Sequence, residues 1–234
     1  MEMISFVSVK GGAGKTTALM AACSSLANRG HKVGLFEADL NTPLRVWKTN
    51  AERLGTWSDA CKIYPAEDIA TFERSYGAAE TVGIDYALID TAGGASDLTD
   101  LVLVNSNIVL VPTSLTTLDM IATIDTMTHA VELFMKSSVD IPIAIVLQRI
   151  PVGKMTTAMA SDLAQIEEMP CLKSRFHARD AFAALQSRGL LHKYHQLLDA
   201  DPHRKLMARH LLVAIEESDQ FVDEILSEIS EDRG

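Results

Sequence analysis

The feature that most constrains this chain is a glycine-rich segment near its start, Lys10–Thr17, with the sequence Lys-Gly-Gly-Ala-Gly-Lys-Thr-Thr. It follows an apolar run, Ile4–Val9, that has the length of one buried strand. We therefore predict a strand, a tight loop and a helix that begins at Lys15. Glycines let successive backbone N–H groups point into one concavity, and the helix N-terminus adds partial positive charge there. Such a concavity binds phosphate groups.

The segment has the residues of a P-loop, with one departure. In a P-loop, Lys15 reaches the β- and γ-phosphates and the Thr16 hydroxyl ligates Mg²⁺, so ATP and Mg²⁺ are the predicted cofactors. The usual pattern G-x-x-x-x-G-K-[ST] needs glycine at position 9. The chain has Val9 there and a second lysine, Lys10, at the mouth of the loop. The predicted nucleotide-binding residues of the loop are Gly11, Gly12, Ala13, Gly14, Lys15, Thr16 and Thr17.

Length and composition set the class of protein. The 234 residues suit one α/β domain over 1–234. No apolar run approaches the ~18 residues that span a bilayer, so stable membrane insertion is not expected. The N-terminus is itself the first predicted strand and lacks a basic leader, which argues against a secretory signal. The cysteines, three and far apart in sequence, indicate reduced thiols in a cytoplasmic protein and no metal cluster.

Hydrophobic patterning predicts alternating strands and helices. The predicted strands are 4–9, 32–39, 62–64 at a sheet edge, 86–91, 108–111 closed by Pro112, 143–147 and 171–176. The predicted helices are 16–29, 44–53, 67–79, 116–135, 156–168 and a last helix over about 200–230 that packs on the domain. Short connections between alternating elements are typical of an α/β fold with a doubly wound, mostly parallel sheet flanked by helices.

Acidic residues follow two of the predicted strands. Asp39 ends the strand 32–39, with Glu37 two residues earlier, and Asp90 ends an apolar strand in the form of a Walker B motif. Ligands of parallel α/β sheets bind at the carboxyl ends of the strands, so both carboxylates are expected near the phosphates. Either acid alone would serve equally well as a strand-end cap. Their combination with the P-loop favours a Mg²⁺ site formed by Thr16, Asp39 and Asp90.

The loop K-G-G-x-G-K-T-T, together with Glu37–Asp39, Asp90–Gly94 and Val111-Pro112, resembles the deviant Walker A ATPases of the ParA/MinD family. The resemblance implies a P-loop ATPase in which two subunits sandwich two ATP molecules. In that arrangement Lys10 reaches the nucleotide of the other subunit. A cation supplied in trans stabilises the charge that phosphoryl transfer develops, and it makes hydrolysis depend on dimerisation.

The same resemblance implies roles for single residues. Asp39 would orient the attacking water, and Asp90 would hold Mg²⁺ through water. Glu37 stands where the family usually has aspartate, and Gln148-Arg149 stands where it often has an Asn-Arg pair beside the adenine. The catalytic residues implied are Lys10, Lys15 and Asp39, and Gln148 and Arg149 complete the nucleotide-binding set.

Four further segments narrow the resemblance. Gly11–Met20, Asp85–Leu88, Arg149–Gly153 and Arg179–Ala184 are similar to the partition-like virulence ATPases of bacterial T-DNA transfer. This similarity implies binding to the enhancer beside the T-DNA border, stimulation of relaxase-driven DNA processing, and delivery of the DNA at the cell pole. The implied partners are a second copy of the chain, DNA, and a relaxase, accessory or centromere-binding protein.

Charge is distributed unevenly along this acidic chain, whose formal net charge is −10. Residues 173–210, which we call the basic island, contain eight basic and three acidic residues, a net of +5, whereas 211–234 has a net of −7. Lysine and arginine contacts to phosphate supply most nonspecific affinity for DNA. Solvation of helix faces explains such scattered charges equally well. The candidate DNA-binding residues are Lys173, Arg175, Arg179, Arg188, Lys193, Arg204, Lys205 and Arg209.

Two other functions compete with that of a DNA-binding ATPase. A membrane-positioning ATPase of the MinD type ends in a basic amphipathic helix, whereas the C-terminal acids here would be repelled by anionic lipid. A metabolic P-loop enzyme, such as an ATP-dependent ligase, is compatible with the composition, but no site for a carboxylate substrate is evident. An iron–sulfur reductase of the same superfamily needs cluster cysteines after the Walker B strand, and none occurs between Cys61 and Cys171.

Overall fold

The computed structural model describes residues 1–231. Asp232, Arg233 and Gly234, which belong to the acidic C-terminal segment, lie outside the described residues. The strands are β1 Glu2–Phe6, β2 Val33–Glu37, β3 Cys61–Pro65, β4 Tyr86–Asp90, β5 Ile108–Thr113, β6 Ile143–Ile150 and β7 Cys171–His177. They form one seven-stranded sheet in the order β3-β2-β4-β1-β5-β6-β7, and every pairing is parallel. The predicted α/β class is confirmed, and β3 lies at an edge as expected.

Helices cover both faces of the sheet. They are α1 Lys15–Asn28, α2 Pro43–Leu54, α3 Ile69–Thr81, α4 Asp97–Asn105, α5 Thr117–Ser137, α6 Thr157–Ile166, α7 Asp180–Ala183, α8 Leu185–Arg188, α9 Leu191–Asp199 and α10 Lys205–Glu231. One core cluster joins α1, α9 and α10 to the sheet through residues such as Leu19, Leu198 and Phe221. Two clusters on the other face join α3 and α4, and α5 and α6, to it. Within residues 1–231, no helix has the length and apolar character needed to cross a membrane.

The strand order positions the candidate site. β1 lies between β4 and β5, so the chain winds outward in both directions from the centre of the sheet. In parallel α/β sheets, ligands bind outside the carboxyl ends of the strands at such a switch point. The loops that follow β1, β2 and β4 all emerge at this carboxyl edge. The P-loop and the two acidic strand ends are therefore brought together by topology.

Helix α4 was not predicted. Its nine residues contain the run Leu101–Val104, which is too short and too apolar to be told from a strand by periodicity. The capping residue decides the structure, because Ser96 Oγ accepts a hydrogen bond from the Thr99 backbone N–H at 3.1 Å. Asp97 and Asp100 in the first turn also favour a helix N-terminus. The signal available in the sequence was Ser96, because serine is a preferred residue at the N-cap of a helix.

The prediction that Pro112 closes its strand was wrong, because β5 continues through Pro112 to Thr113. Proline lacks the N–H that a central strand donates. Leu110 O accepts a hydrogen bond from Val7 on the β1 side, and Pro112, two residues on, faces the same way. The last β1 residue paired with β5 is Phe6, at Leu110, so no strand lies where the missing donor would point. The sheet tolerates this proline for that reason.

The last helix begins later than predicted, at Lys205 instead of near residue 200. Asp201 terminates the preceding turn, since its side chain accepts from the His203 N–H at 2.9 Å. The segment between β7 and this helix forms three short helices, with a break at Gly189. Gly189 has φ +85°, and a Cβ there would lie 2.2 Å from Thr56 Oγ1. α10 packs along α1, α9 and β7.

Two cysteines that are far apart in sequence are neighbours in the fold. Cys23 on α1 and Cys61 on β3 are both buried. Their Sγ atoms lie 3.5 Å apart, within hydrogen-bond distance for sulfur, and no disulfide joins them. Burial raises the pKa of the Cys23 thiol well above its usual value, and the adjacent Cys61 raises it further. Both side chains therefore act as small apolar core residues.

Candidate nucleotide site

The glycine-rich loop has the backbone needed to hold phosphate. Gly12 and Gly14 have φ +80° and +101°, which side-chain-bearing residues rarely adopt. Gly14 is the N-cap of α1 and has no side chain with which to cap it, so the first N–H groups of the helix remain available. A Cβ at Gly14 would also lie 2.3 Å from Gln148 Oε1. The predicted start of the helix at Lys15 is confirmed.

Lys15 lies beneath this loop with most of its side chain buried. Burial lowers the pKa of its ammonium group, and the nearby carboxylates of Asp90 and Asp39 act in the opposite direction. The loop, the lysine and the two acids thus share one electrostatic environment. An anion in the loop would further favour the charged form of Lys15.

Thr16 and Asp90 meet as the sequence predicted. Thr16 Oγ1 donates a hydrogen bond to Asp90 Oδ2 at 2.8 Å. Asp90 Oδ1 is buried and has no hydrogen-bond partner among the described residues. Burial raises the pKa of Asp90 to about 6, although the Thr16 hydroxyl and Lys15 both act to lower it. An unpaired buried carboxylate oxygen is unfavourable, and a divalent cation would satisfy it.

The oxygen donors at this position suit a magnesium ion that is held jointly with a nucleotide. Residues 1–231 contain no cluster of three or more His, Cys, Asp or Glu side chains placed to hold a metal. Mg²⁺ is typically bound through one or two protein oxygens, with the other positions taken by waters and substrate phosphates. The Thr16 hydroxyl and the Asp90 carboxylate therefore fit Mg²⁺ when phosphate occupies the loop.

Asp39 lies at the same edge, just beyond the end of β2. Its Oδ1 accepts hydrogen bonds from the backbone N–H and the side-chain amide of Asn41, at 2.8 and 2.9 Å. Its charge affects the pKa values of both Lys15 and Asp90, which places it near them, but it bonds to neither. Asp39 is thus hydrogen-bonded within its own loop and acts on Lys15 and Asp90 through its charge.

Glu37 has a structural role that the sequence did not reveal. Its Oε1 accepts hydrogen bonds from the N–H groups of Leu44 and Arg45, at 2.6 and 3.2 Å, in the first turn of α2. The residue at the N-cap of α2, Thr42, makes no capping bond. Arg45 Nε also lies 3.1 Å from Glu37 Oε2, as an ion pair without hydrogen-bond geometry. Glu37 therefore caps α2 from the end of β2, which fixes both ends of the loop that contains Asp39.

Lys10 is held within its own subunit. Its Nζ lies 2.5 Å from Asp119 Oδ1, and Asp119 also accepts a hydrogen bond from Ser114 Oγ. Burial of Asp119 acts to raise its pKa, but the hydrogen bonds from Lys10 and Ser114 outweigh it and lower the pKa. The backbone N–H of Val9 donates to Thr126 Oγ1 at 3.1 Å, which ties the loop entrance to α5 a second time. Asp119 was not predicted as a site residue; its only signal in the sequence was an acid in the first turn of a predicted helix.

A cavity of about 390 Å³ adjoins the P-loop at the ends of β6 and β7. Thr17, Gln148 and Arg149 line it, as expected for the base of a nucleotide. Gln148 Nε2 donates to Gly14 O at 2.9 Å and Arg149 Nη2 to Gly12 O at 2.6 Å, so both side chains are fixed against the loop. A larger cavity, about 760 Å³, lies between α3 and α4. Three acidic residues, Glu67, Asp68 and Asp97, and no lysine or arginine line that larger cavity, so an anion is less favoured there than at the P-loop.

The basic island is less cationic in the fold than in the sequence. Four of its eight basic residues form ion pairs within the chain: Arg175 with Glu167, Arg179 with Glu217, Arg188 with Asp180 and Arg204 with Asp201. The other four have no carboxylate partner among residues 1–231; they are Lys173, Lys193, Lys205 and Arg209. Lys205 and Arg209 are exposed one turn apart on α10. The eight residues therefore do not form a single cationic surface.

Solved structures share this fold at low sequence identity. The MinC:MinD cell division protein complex of Aquifex aeolicus matches with a TM-score of 0.64 and 16% identity, over 95% of this chain and 96% of that one. A Borrelia burgdorferi protein assigned to plasmid partition, bound to AMPPNP, gives 0.60 and 16%, over 85% and 96%. Cobyrinic acid a,c-diamide synthase of Mycobacterium smegmatis, with ADP and magnesium, gives 0.60 and 16%, over 88% and 97%. These likenesses establish the ParA/MinD type of P-loop fold.

Sequence comparisons are more specific. The chain is 44% identical to protein virC1 of Rhizobium rhizogenes over 217 residues, which are 93% of this chain and 94% of that protein. It is 42% identical to protein virC1 of Rhizobium radiobacter over 231 residues, 99% of this chain and all of that protein. The family model described as VirC1 protein matches residues 1–232. With a partition-type P-loop fold and relatives this similar along their whole length, the chain belongs to the VirC1 family.

Proposed function

We propose that this protein is an ATP-dependent molecular switch that binds DNA and acts in conjugative or T-DNA transfer. One observation carries the proposal: Lys15, the Thr16–Asp90 pair and the unpaired Asp90 Oδ1 lie together beneath a glycine loop. This arrangement suits a nucleotide triphosphate with its magnesium ion. The relatives named VirC1, and a structural neighbour assigned to plasmid partition, support DNA as the substrate that is moved.

Each residue of the site would have a separate task. The loop N–H groups and Lys15 bind the β- and γ-phosphates, Thr16 and Asp90 hold Mg²⁺, and Asp39 orients the attacking water. Magnesium supplies neutralisation of the phosphate charge when it is bound. Gln148 and Arg149 position the base in the cavity beside the loop.

Lys10 would make hydrolysis depend on a second copy of the chain. Its side chain is 40% exposed although Asp119 holds it, so it lies at the surface beside the phosphate loop. In an ATP-sandwich dimer, Lys10 leaves Asp119 and contacts the nucleotide of the other subunit. Because Asp119 is buried, breaking this ion pair costs free energy that the dimer interface must offset. ATP hydrolysis by the isolated subunit is therefore expected to be weak.

The test is retention of DNA with and without ATP and Mg²⁺. Random duplex DNA is compared with a duplex that contains a transfer-border enhancer. We expect stronger retention with ATP, and additional retention on the enhancer. In Lys15→Ala, ATP affinity should fall at least about 100-fold because the charge-assisted hydrogen bonds to phosphate are removed, and the effect of ATP on retention should disappear. Lys62→Ala, which removes an exposed lysine of β3, is the matched control.

The outcomes separate the parts of the proposal. Unchanged nucleotide affinity in Lys15→Ala would refute the phosphate site. Nucleotide binding without any DNA retention would refute DNA as the ligand and leave the ATPase. Equal retention of random and enhancer DNA would support general partition over T-DNA processing.

A further inference from the structure

A second cavity, also about 390 Å³, lies on the far side of the segment that follows β7. Ala181, Leu198 and Leu211 form apolar walls, and Val152 and Met207 are at its mouth. The apolar side chains at the mouth are highly exposed to solvent, Val152 by 62% and Met207 by 50%. Exposed apolar residues around a concave pocket mark binding sites more often than an even surface does.

Cationic side chains surround the apolar interior of this cavity. Arg188 lies over the Tyr194 ring, 5.5 Å from its centroid, and its Nη2 is 2.7 Å from Asp180 Oδ2. The Asp180 side chain is 80% exposed, so this ion pair is at the surface and is easily exchanged. His210 also lines the cavity and has no carboxylate partner among the described residues. Arg179, the second arginine of the cavity, is bound to the buried Glu217 and stays in place.

We propose that this cavity binds an acidic peptide segment of a partner protein, through one large apolar side chain of that segment. The apolar side chain would enter between Leu198, Leu211 and Met207. A neighbouring carboxylate of the peptide would replace Asp180 on Arg188. Charge complementarity favours an acidic partner, because two arginines and a single carboxylate, Asp180, line the cavity.

DNA suits this cavity less well than a peptide. Contacts to a duplex backbone need several cations along a surface, whereas only two arginines line this cavity and the buried Glu217 holds one of them. An apolar interior of this size has no use in binding a duplex backbone, but it matches a leucine or phenylalanine side chain at the centre of a protein interface. No P-loop residue lines this cavity, although it shares Ala178, Arg179 and Asp180 with the cavity beside the loop.

The test uses the full chain labelled with ¹³C at its methionine methyl groups. The probe is a short synthetic peptide of Asp and Glu residues around one central Phe. We expect the Met207 signal, assigned with Met207→Leu, to shift on titration. Met135, which is exposed on α5 far along the chain, should not shift. A peptide with Lys in place of the acids should move neither signal.

Variants then test the charges, with affinity measured from the anisotropy of the labelled peptide. Arg188→Glu should weaken binding by about tenfold or more, since a charge-assisted hydrogen bond is removed and a repulsion added. Asp180→Asn should strengthen binding several-fold, because Asp180 no longer competes for Arg188. Arg204→Glu, the same charge change on an exposed arginine that does not line the cavity, is the matched control and should stay within about twofold.

Three results would overturn the proposal. One is equal shifts of Met207 and Met135, which would indicate general adhesion to apolar surface. Another is equal weakening by Arg188→Glu and Arg204→Glu, since only net charge would then matter. The third is a Met207 shift caused by a short duplex DNA but not by the peptide. Met207→Asp keeps the test usable if Arg188→Glu does not fold, because an acid at the mouth should also repel the peptide.

Discussion

The candidate nucleotide site and the basic island differ in whether their charged side chains have partners within the chain. At the nucleotide site, residues from separate segments converge and leave Asp90 Oδ1 buried without a partner among the described residues. In the basic island, half of the basic residues that the sequence places together are paired with carboxylates of the same chain. The first region leaves a buried carboxylate oxygen unsatisfied, whereas in the second, half of the cations are neutralised by carboxylates of the same chain.

The difference is one of energetics. Burial of an unpaired carboxylate destabilises the fold and persists only where the surroundings require it, as at functional sites. Exposed ion pairs such as Arg188–Asp180 contribute about 0–1 kcal/mol and exchange readily. The buried site is thus committed to one chemistry, while the island has surfaces that a partner can compete for.

We expect the largest effect for Asp39, whose carboxylate belongs to the candidate nucleotide site and is partly exposed. Asp39→Ala should lower ATP turnover about 100-fold or more, because the attacking water loses its orienting group. ATP binding and dimerisation should persist, since Lys15, Thr16 and Asp90 are untouched. Steady-state hydrolysis at saturating ATP, with dimerisation followed by light scattering, measures both quantities.

Asp59→Ala, which removes an exposed acid away from the site, is the control for this experiment. Undiminished hydrolysis in Asp39→Ala would exclude a catalytic role. A loss of ATP binding would instead indicate that Asp39 organises the loop through its two bonds to Asn41.

A second prediction concerns DNA binding by the island and separates its paired from its unpaired cations. The double variant Lys205→Glu/Arg209→Glu should weaken nonspecific DNA binding roughly 30-fold and reduce the salt slope by about 0.9 for each phosphate that the protein no longer neutralises. The double variant Arg175→Glu/Arg179→Glu makes the same charge change at residues already bound to Glu167 and Glu217. It should have a clearly smaller effect on the slope.

Equal slopes for these two double variants would show that the ion pairs open on DNA and that the island acts as one surface. An unchanged slope in both would place the DNA-binding surface elsewhere on the protein. Titration of affinity against salt for the wild type and both variants gives the comparison directly.

The two regions also differ in how much of their structure the sequence could predict. The P-loop, Asp39 and Asp90 were predictable because each follows a strand, and parallel topology brings all strand ends to one edge. The parallel sheet followed from local alternation of elements in the same way. Motifs of this kind contain their own structural context within a few residues.

Contacts across long sequence distances could not be predicted. Asp119 meets Lys10 from 109 residues away, and Glu217 meets Arg179 from 38 residues away. Glu37 stands where the family usually has aspartate, and nothing local in the sequence indicated that its side chain reaches the start of α2. The count of charges in the basic island also missed a long-range contact, because Glu217, which pairs with Arg179, lies on α10 outside the island.

The last prediction tests whether the unpaired Asp90 carboxylate destabilises the fold. Asp90→Asn keeps the shape and an acceptor for Thr16 but removes the charge. Its folded pKa of about 6 exceeds the ordinary 3.8, so the native state binds more protons than the unfolded chain between these values. The stabilisation due to protonated Asp90 is therefore complete below about pH 4 and is lost as the pH rises through 6. Without nucleotide or Mg²⁺, Asp90→Asn should match the wild type near pH 4 and be more stable by about 3 kcal/mol at pH 7.5, which is what a shift of about two pKa units is worth.

The free energy of unfolding of Asp90→Asn must be compared with that of the wild type at each pH, because the contribution of His192 to stability also depends on pH. Burial lowers its pKa from 6.5 to about 4, so its contribution to stability rises with pH over nearly the same range and offsets that of Asp90 in the wild type. Because both proteins contain His192, the difference between their free energies of unfolding in urea isolates Asp90. Asp59→Asn should show no such difference. If Asp90→Asn is the less stable protein at pH 7.5, the carboxylate is stabilising even without a cation, and the two regions handle charge alike.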